Sequence, residues 1–395
     1  MKYDFDRMPD RSNTASLKWD RNFRMGHVRY DGEVNSMWVA DMDFPCAKPI
    51  VSAIEKRAAH PVYGYSLFDR DKVPGAICNW ISKRYGWSPA CNDVLVAPGV
   101  VTSLGVAVSE FTEPGDGIII QTPVYYPFRK TIEAAGRRVV VNPLICHGGR
   151  YSMDFADLEA MVMDPANKLM ILCSPHNPVG RVWTEQELHE VGRLCSENDV
   201  LLVSDEIHMD ITRDGTEFTP AALAGDRMNT ITLTAPSKTF NIPGLAISVV
   251  IIENQELKER WKNRAYGILS LGMTNPLSAE AYIAAYDNGA EWLEQVSRYI
   301  DGNFRLLKEC LQEKIPGMGF IIPEGTYLAW LDLGNAGVND DMAFAKDLER
   351  LEGLLVDPGS IFGEEGRGFI RLNIACPARR VVAAVESIQR VLAKD

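Results

Sequence analysis

The sequence lacks the long apolar run that a membrane-spanning helix requires. Its apolar stretches, such as Val249 to Ile252, have the length of a strand and fall far short of the ~20 residues of such a helix. The N-terminus, MKYDFDRMPDR, mixes acidic with basic residues and has no apolar core, so it does not resemble a signal peptide. These absences predict a cytoplasmic protein that does not bind membranes.

Positive charge is also scarce, because 41 Lys and Arg residues face 53 Asp and Glu residues, for a formal net charge of −12. A nucleic-acid-binding surface needs a basic face to neutralise phosphates, so we expect no nucleic-acid partner. A small anionic cofactor is still compatible with this charge, because the backbone N–H groups of a helix N-terminus bind phosphate locally.

Paired cysteines and metal-ligand motifs are missing as well. The eight cysteines are scattered without a C-x-x-C pair, and the six histidines form no H-E-x-x-H pattern. The sequence therefore predicts free thiols in a reducing compartment and no metal site. The 395 residues, 46% hydrophobic and 24% charged, are typical of a globular protein of two or three domains at roughly 150 residues per domain.

Short apolar runs alternate with helix-like segments through the first three quarters of the chain. The capping-box pair Thr184 and Glu187 marks the clearest helix start. Such alternation predicts a mostly parallel sheet covered by helices, in an α/β fold. The predicted strands, which we expect to be buried on both faces, are Gly117–Ile120, Arg138–Val141, Lys168–Cys173, Val200–Val203, Thr230–Leu233 and Ala246–Ile252.

The pattern changes near Gly289 to a long helix-like segment followed by a shorter, strand-rich part. We therefore predict a large domain over residues 49–288 and a smaller α+β domain over residues 289–395. Residues 1–48 are predicted to be an N-terminal segment that packs with the small domain.

Three polar side chains directly follow predicted strands: Asn177, Asp205 and Lys238. Ligands of an open parallel sheet bind outside the carboxyl ends of its strands, so these groups are expected to converge at one edge. Each motif alone has an ordinary explanation, as a turn, a solvated strand end or a surface lysine. Their shared placement after three strands favours a site.

The chemistry of these three groups matches a pyridoxal 5'-phosphate site. Lys238 can form a Schiff base with the cofactor and later remove the Cα proton of an amino acid. Asp205 can keep the ring nitrogen protonated, and Asn177 can donate to the ring oxygen, which His208 could also reach.

Two further segments could complete the cofactor site. The run Pro98 to Ser103 follows a short apolar run and leads into a helix-like segment, so its backbone N–H groups suit a phosphate. The pair Tyr125-Tyr126 follows the strand Gly117–Ile120, where one ring could stack on the cofactor, although both rings could equally belong to the core.

Several of these motifs together resemble the class I/II aminotransferase superfamily (fold type I), and within it the cystathionine β-lyase and cystalysin-like carbon–sulfur lyase branch. The likeness spans nearly the whole chain. It is carried by MWVADMDF, VYGY, PGDGIIIQTPVYYPF, SPHNPVGRVW, SDEIHMD, APSKTFNIPGL, EGTYLAWLDL and IFGEEGRGFIRLNIACP. It implies a transferase-like fold with a mostly parallel sheet sandwiched by helices.

The resemblance also implies roles for individual residues. Lys238 would be the Schiff-base lysine, Asp205 the partner of the ring nitrogen, Asn177 the donor to the ring oxygen and Tyr125 the stacking aromatic. Arg371 would bind the α-carboxylate of the amino-acid substrate, a task that suits the guanidinium fork.

The resemblance further implies a homodimer with shared active sites, in which Tyr65 reaches the cofactor phosphate of the neighbouring subunit. The backbone of Val100 and Val101, together with Ser237, would supply the other phosphate contacts. Two positions depart from many aminotransferases, which have Ser or Thr at position 235 and Arg at position 246. Here both are alanine, which tells against an aspartate-type aminotransferase.

The activity favoured by the sequence is a carbon–sulfur β-lyase that releases thiol, pyruvate and ammonia from an L-cysteine S-conjugate. One alternative is an aminotransferase, which shares the early steps and returns the proton to the cofactor carbon. The other is a non-catalytic regulatory protein on the same scaffold, against which the intact Lys238, Asp205 and Asn177 argue.

Overall fold

A mixed seven-stranded sheet forms the centre of the computed structural model, which describes residues 2–20, 30, 32–66 and 71–394. Its strand order is β2-β10-β9-β8-β7-β3-β4. All neighbouring pairs are parallel except those of β10, which runs antiparallel to β2 and β9. Its strands are β2 (Val94–Ala97), β3 (Gly117–Ile120), β4 (Arg138–Val141), β7 (Asn167–Cys173), β8 (Leu201–Asp205), β9 (Thr230–Thr234) and β10 (Ser248–Ile251).

Three smaller sheets complete the β structure. One is antiparallel, with the order β11-β14-β13; one is the hairpin β5-β6; one is the parallel pair β1-β12. Their strands are β1 (Asn35–Ser36), β5 (Ile145–His147), β6 (Arg150–Ser152), β11 (Leu328–Asp332), β12 (Leu354–Leu355), β13 (Asp357–Pro358) and β14 (Phe369–Asn373).

Helices cover both faces of the large sheet and pack around the small antiparallel one. The α-helices of the described residues are α1 (Lys48–Ala58), α2 (Lys72–Tyr85), α3 (Val100–Phe111), α4 (Pro127–Ala134), α5 (Phe155–Val162), α6 (Glu185–Glu197), α7 (Ala221–Ala224), α8 (Pro236–Thr239), α9 (Gln255–Lys262), α10 (Pro276–Asn288), α11 (Ala290–Lys314), α12 (Asp341–Glu352) and α13 (Ala378–Leu392). A π-helical segment, Asn263–Ile268, follows α9.

The predicted α/β fold is confirmed, and the six predicted strands match β3, β4, β7, β8, β9 and β10 to within two residues at each end. Helix α6 begins after Thr184, whose side chain accepts from the backbone of Glu187 while Glu187 caps Thr184 in return. Burial on both faces was wrong for β4, an edge strand in which Arg138 is exposed and the next three residues are half-buried.

Two residues near the start of the N-terminal segment, Tyr3 and Phe5, contact α11. The Phe5 ring lies 6.1 Å from the ring of Trp292 and 5.5 Å from that of Tyr299, and the backbone N–H of Tyr3 donates to Gln295. Helix α11 begins one residue after the change of pattern at Gly289. The division into residues 1–48, 49–288 and 289–395 stays a prediction.

No helix in the described ranges is both long enough and apolar enough to cross a membrane.

Glu206, directly after β8, is a fully buried acid that links the sheet to α7. One carboxyl oxygen accepts from the Ala221 backbone N–H (2.8 Å) and from the Ser204 hydroxyl (2.9 Å). Burial raises the pKa of Glu206 to about 8, against an ordinary value of 4.5. The folded protein therefore holds a proton on Glu206 at pH 7 that the unfolded chain releases.

We expect Glu206→Gln to flatten the dependence of stability on pH between about pH 5 and 8. In that range the folded wild-type protein binds more protons at this group than the unfolded chain does, so its stability falls as pH rises, by up to about 1.4 kcal/mol per pH unit. Urea denaturation at pH 5, 6, 7 and 8 measures the slope. Glu185→Gln, at an exposed position at the start of α6, is the matched control, and equal slopes for wild type and Glu206→Gln would contradict the expectation.

Candidate active site

The three polar groups that follow strands meet at one edge of the large sheet. Strands β7, β8 and β9 are adjacent and parallel, so their carboxyl ends lie side by side. Asn177, Asp205 and Lys238 all line a cavity of about 220 Å³ at that edge. The predicted convergence is confirmed in geometry.

Lys238 lies in the short helix α8, which begins at Pro236 after β9. Its amine donates a hydrogen bond to the backbone carbonyl of Ala40 at 2.6 Å. Burial lowers the pKa of Lys238 to about 8, and the positive charge of Arg371 acts in the same direction. About a tenth of this lysine is therefore the neutral, nucleophilic amine at pH 7, far more than for a lysine with the ordinary pKa of 10.5.

Asp205 is the last residue of β8 and is only 4% exposed. One of its carboxyl oxygens accepts from the backbone N–H of Ile207 at 3.1 Å. Burial raises the pKa of Asp205 to about 6, while the hydrogen bond from Ile207 and the charge of Lys238 oppose that rise. A cationic group placed in the cavity beside this carboxyl would stabilise its ionised form.

Arg371, on β14 of the small sheet, lies behind Asn177. Its Nη1 donates to Asn177 Oδ1 at 2.9 Å, and its Nη2 donates to the carbonyl oxygen of Trp38 at 2.9 Å and forms an ion pair with Asp357. Because Asn177 Oδ1 faces the guanidinium, the Nδ2 amide group of Asn177 is the one that can donate toward the cavity.

The N-terminus of α3 closes one end of the cavity. Val100, Val101 and the missed residue Thr102 line it there, and Ser237 contributes from α8. Backbone N–H groups at the start of a 12-residue helix bind anions, so this end suits a phosphate. The methyl groups of Ala235 and Ala246 also line the cavity, so these two positions add no positive charge.

Tyr125 and His208 line the same cavity. The Tyr125 backbone N–H donates to the carbonyl of Asn177 at 3.0 Å, and burial raises the pKa of its phenol to about 12. His208 is buried, with its ring 5.8 Å from that of Tyr327. Burial, together with the charges of Lys238 and Arg371, lowers the pKa of His208 well below its ordinary value, so its imidazole is neutral.

Arg371 and Tyr65 are the two predicted site residues that do not line this cavity: Arg371 contacts its lining residue Asn177, whereas Tyr65 lies away from it within its own chain. Its side chain is 95% exposed. Conversely, sequence reasoning missed Ala40, Cys173 and Tyr327, of which the first two line the cavity. The segments of Ala40 and Tyr327 carried the family resemblance, but a backbone carbonyl and a buried hydroxyl have no sequence signal of their own.

Comparison with known proteins identifies the class to which this fold and site belong. The family model described as aminotransferase class I and II matches residues 37–388. The chain therefore belongs to the class I and II aminotransferase family.

The chain is similar over nearly its whole length to several proteins, one of which is named as a lyase. The chain is 38% identical over 390 residues to cystathionine beta-lyase PatB of Bacillus subtilis (strain 168), covering 98% of this chain and 99% of that protein. It is 35% identical to protein MalY of Escherichia coli (strain K12), covering 98% of each. The solved structure of cystalysin from Treponema denticola, which contains pyridoxal 5'-phosphate, matches with a TM-score of 0.94 at 34% identity and covers all of both chains.

Proposed function

We propose that this chain is a pyridoxal 5'-phosphate-dependent carbon–sulfur β-lyase, which converts an L-cysteine S-conjugate and water into a thiol, pyruvate and ammonia. The observation that carries the proposal is the Lys238 amine, with its pKa lowered to about 8, in one cavity with Asp205 and Asn177. Relatives and solved structures named cystathionine beta-lyase, cystalysin and C-S lyase, matched over nearly the whole chain, support the same reaction.

The residues of the cavity fit pyridoxal 5'-phosphate. The buried Asp205 carboxyl suits a protonated ring nitrogen, since a cation would offset the burial that raises its pKa. Asn177 would donate to the ring oxygen, with His208 near it, and Tyr125 would stack on the ring. The bound cofactor supplies an electron sink that stabilises negative charge at the substrate Cα.

The phosphate would lie at the opposite end of the cavity, at the start of α3. Backbone N–H groups of Val100 and Val101 and the hydroxyl of Ser237 are the proposed donors there, and the hydroxyl of Thr102 is a fourth. All four donors are neutral dipoles. The arginine that supplies a full positive charge in many family members is replaced here by Ala246.

Lys238 is proposed to carry the cofactor and then to move the protons. As a neutral amine it removes the Cα proton, and as the resulting ammonium it donates a proton to the sulfur that leaves Cβ. A pKa of about 8 suits both tasks near neutral pH, since neither form is rare there.

Arg371 is proposed to bind the substrate α-carboxylate. Of its five N–H donors, three contact Asn177, Trp38 and Asp357, and the buried Nε has no hydrogen-bond partner among the described residues. Two N–H groups, on Nε and Nη1, thus remain to donate to carboxylate oxygens.

We expect the purified protein, loaded with pyridoxal phosphate, to release pyruvate from L-cystathionine with no 2-oxo acid added. Lys238→Ala should lower the rate by at least about 10³-fold, because no other amine replaces it as both nucleophile and base. A coupled lactate dehydrogenase assay measures the pyruvate.

Lys168→Ala, which removes an exposed lysine of β7, is the matched control and should retain the wild-type rate. A protein that makes no pyruvate, and whose cofactor is converted to pyridoxamine phosphate by an amino acid, would be an aminotransferase and not a lyase. Full biological activity in Lys238→Ala would instead support the non-catalytic alternative.

The proposed assembly is a homodimer in which Tyr65 reaches the cofactor phosphate of the partner subunit. The exposure of Tyr65 (95%), Val62 (61%) and Tyr63 (57%) supports it, because three neighbouring apolar side chains in solvent are typical of a contact surface.

A cytoplasmic location also belongs to this proposal, supported by the eight cysteines, which are all free thiols.

Subunit mixing tests the shared site directly. Tyr65→Phe and Lys238→Ala homodimers should each have reduced activity, whereas a hybrid of the two contains one site with both an intact Lys238 and the partner's intact Tyr65. We expect co-refolded mixtures to regain activity, up to about half the wild-type rate per hybrid dimer. Sedimentation should give twice the chain mass of 44.0 kDa. A monomer, or mixtures no more active than their parents, would overturn shared sites.

A further inference from the structure

The backbone of residues 38–41 passes the cavity with all of its carbonyl groups hydrogen-bonded to side chains. The donors are Arg371 to Trp38 O (2.9 Å), Asn373 to Val39 O (2.7 Å), Lys238 (2.6 Å) and Tyr327 (2.9 Å) to Ala40 O, and Asn373 (2.6 Å) and Lys18 (3.0 Å) to Asp41 O. Two of these donors, Lys238 and Arg371, belong to the proposed active site. The segment is therefore held in a defined position relative to the cavity.

Ala40 O differs from the others because it joins the reactive lysine to a buried phenol. A carbonyl oxygen has two lone pairs and can accept from Lys238 and Tyr327 at the same time. Tyr327 is only 1% exposed, and burial raises its pKa above the ordinary value, so its hydroxyl keeps its proton and donates. The Tyr327 bond to Ala40 can remain when Lys238 leaves this oxygen.

We propose that the Ala40 carbonyl oxygen is the point that holds the Lys238 amine whenever this amine is not bonded to the cofactor, and that Tyr327 is the positioning residue that shares this oxygen and sets how strongly it holds the amine. The inference rests on the proposed function only in taking Lys238 as the cofactor lysine. When Lys238 is bonded to the cofactor, Tyr327 still satisfies Ala40 O, so the segment needs no rearrangement.

Tyr327 also affects which form of the amine is favoured. The hydroxyl hydrogen of Tyr327 places partial positive charge beside Ala40 O. That charge weakens the hydrogen bond from the Lys238 ammonium to the same oxygen, and it is this bond that stabilises the protonated form of the lysine. The neutral amine, which attacks the cofactor aldehyde and removes the Cα proton, is favoured as a result. Removing the hydroxyl should raise the pH at which the amine loses its proton.

The test measures capture of pyridoxal phosphate by cofactor-free protein, followed by absorbance between pH 6 and 10. The capture rate is proportional to the neutral fraction of Lys238, so its midpoint reports the deprotonation of that amine. We expect Tyr327→Phe to move the midpoint upward by about half a pH unit or more, the size associated with one hydrogen bond between neutral groups. This readout does not depend on which reaction the loaded enzyme catalyses.

Tyr282→Phe is the matched control, since it removes a buried hydroxyl of α10 that has no hydrogen-bond partner within the described residues. Its midpoint should equal that of the wild type. A Tyr327→Phe midpoint equal to the wild-type value, or an equal shift in Tyr282→Phe, would overturn the proposal. Capture by Lys238→Ala at the wild-type rate would instead show that another lysine carries the cofactor, which is a failure of the proposed function and is distinguishable from the first.

Discussion

Removing the amine of Lys238 from water makes its protonated form costly, and the properties of the site follow from how the surrounding groups offset that cost. Burial and Arg371 favour the neutral amine, whereas Asp41 and Asp205 favour the ammonium, and the balance is a pKa of about 8. Stronger acidic partners would have left the lysine protonated and inert. A less polar site would have lowered the pKa of Lys238 further, so that the lysine would not hold the proton that the leaving sulfur requires.

The same constraint explains why two neighbouring acids behave differently. Asp205 and Glu206 are both fully buried, yet the pKa of Asp205 is raised to about 6 and that of Glu206 to about 8. Asp205 lines the cavity, where the charge of Lys238 stabilises its ionised form. Glu206 instead contacts Ser204 and Ala221, and the like charge of Asp205 adds to the rise of its pKa. One acid therefore suits a cationic ring nitrogen, and the other serves the connection to α7.

Much of the site could be predicted from the sequence because parallel strands bring their carboxyl ends together. Asn177, Asp205 and Lys238 each follow an apolar run, so their convergence required only the strand pattern. Arg371 was different, since it lies on a separate sheet and only the family resemblance pointed to it. Ala40 and Tyr327 were missed, because the Ala40 contact is made by the backbone and is independent of residue type. Exposure of β4 was missed because the position of a strand in the sheet order is not visible in its own residues.

In the proposed mechanism, the choice between β-lyase and aminotransferase depends on where one proton goes after Lys238 has taken it from Cα. Delivery to sulfur breaks the Cβ–S bond, whereas delivery to the cofactor carbon leads to transamination. The same residues serve both outcomes, so their identity alone does not separate the two reactions. What differs is the position from which the amine delivers its proton. In the proposed mechanism, the Ala40 carbonyl oxygen, which accepts from both Lys238 and Tyr327, is a contact that would bear on this position.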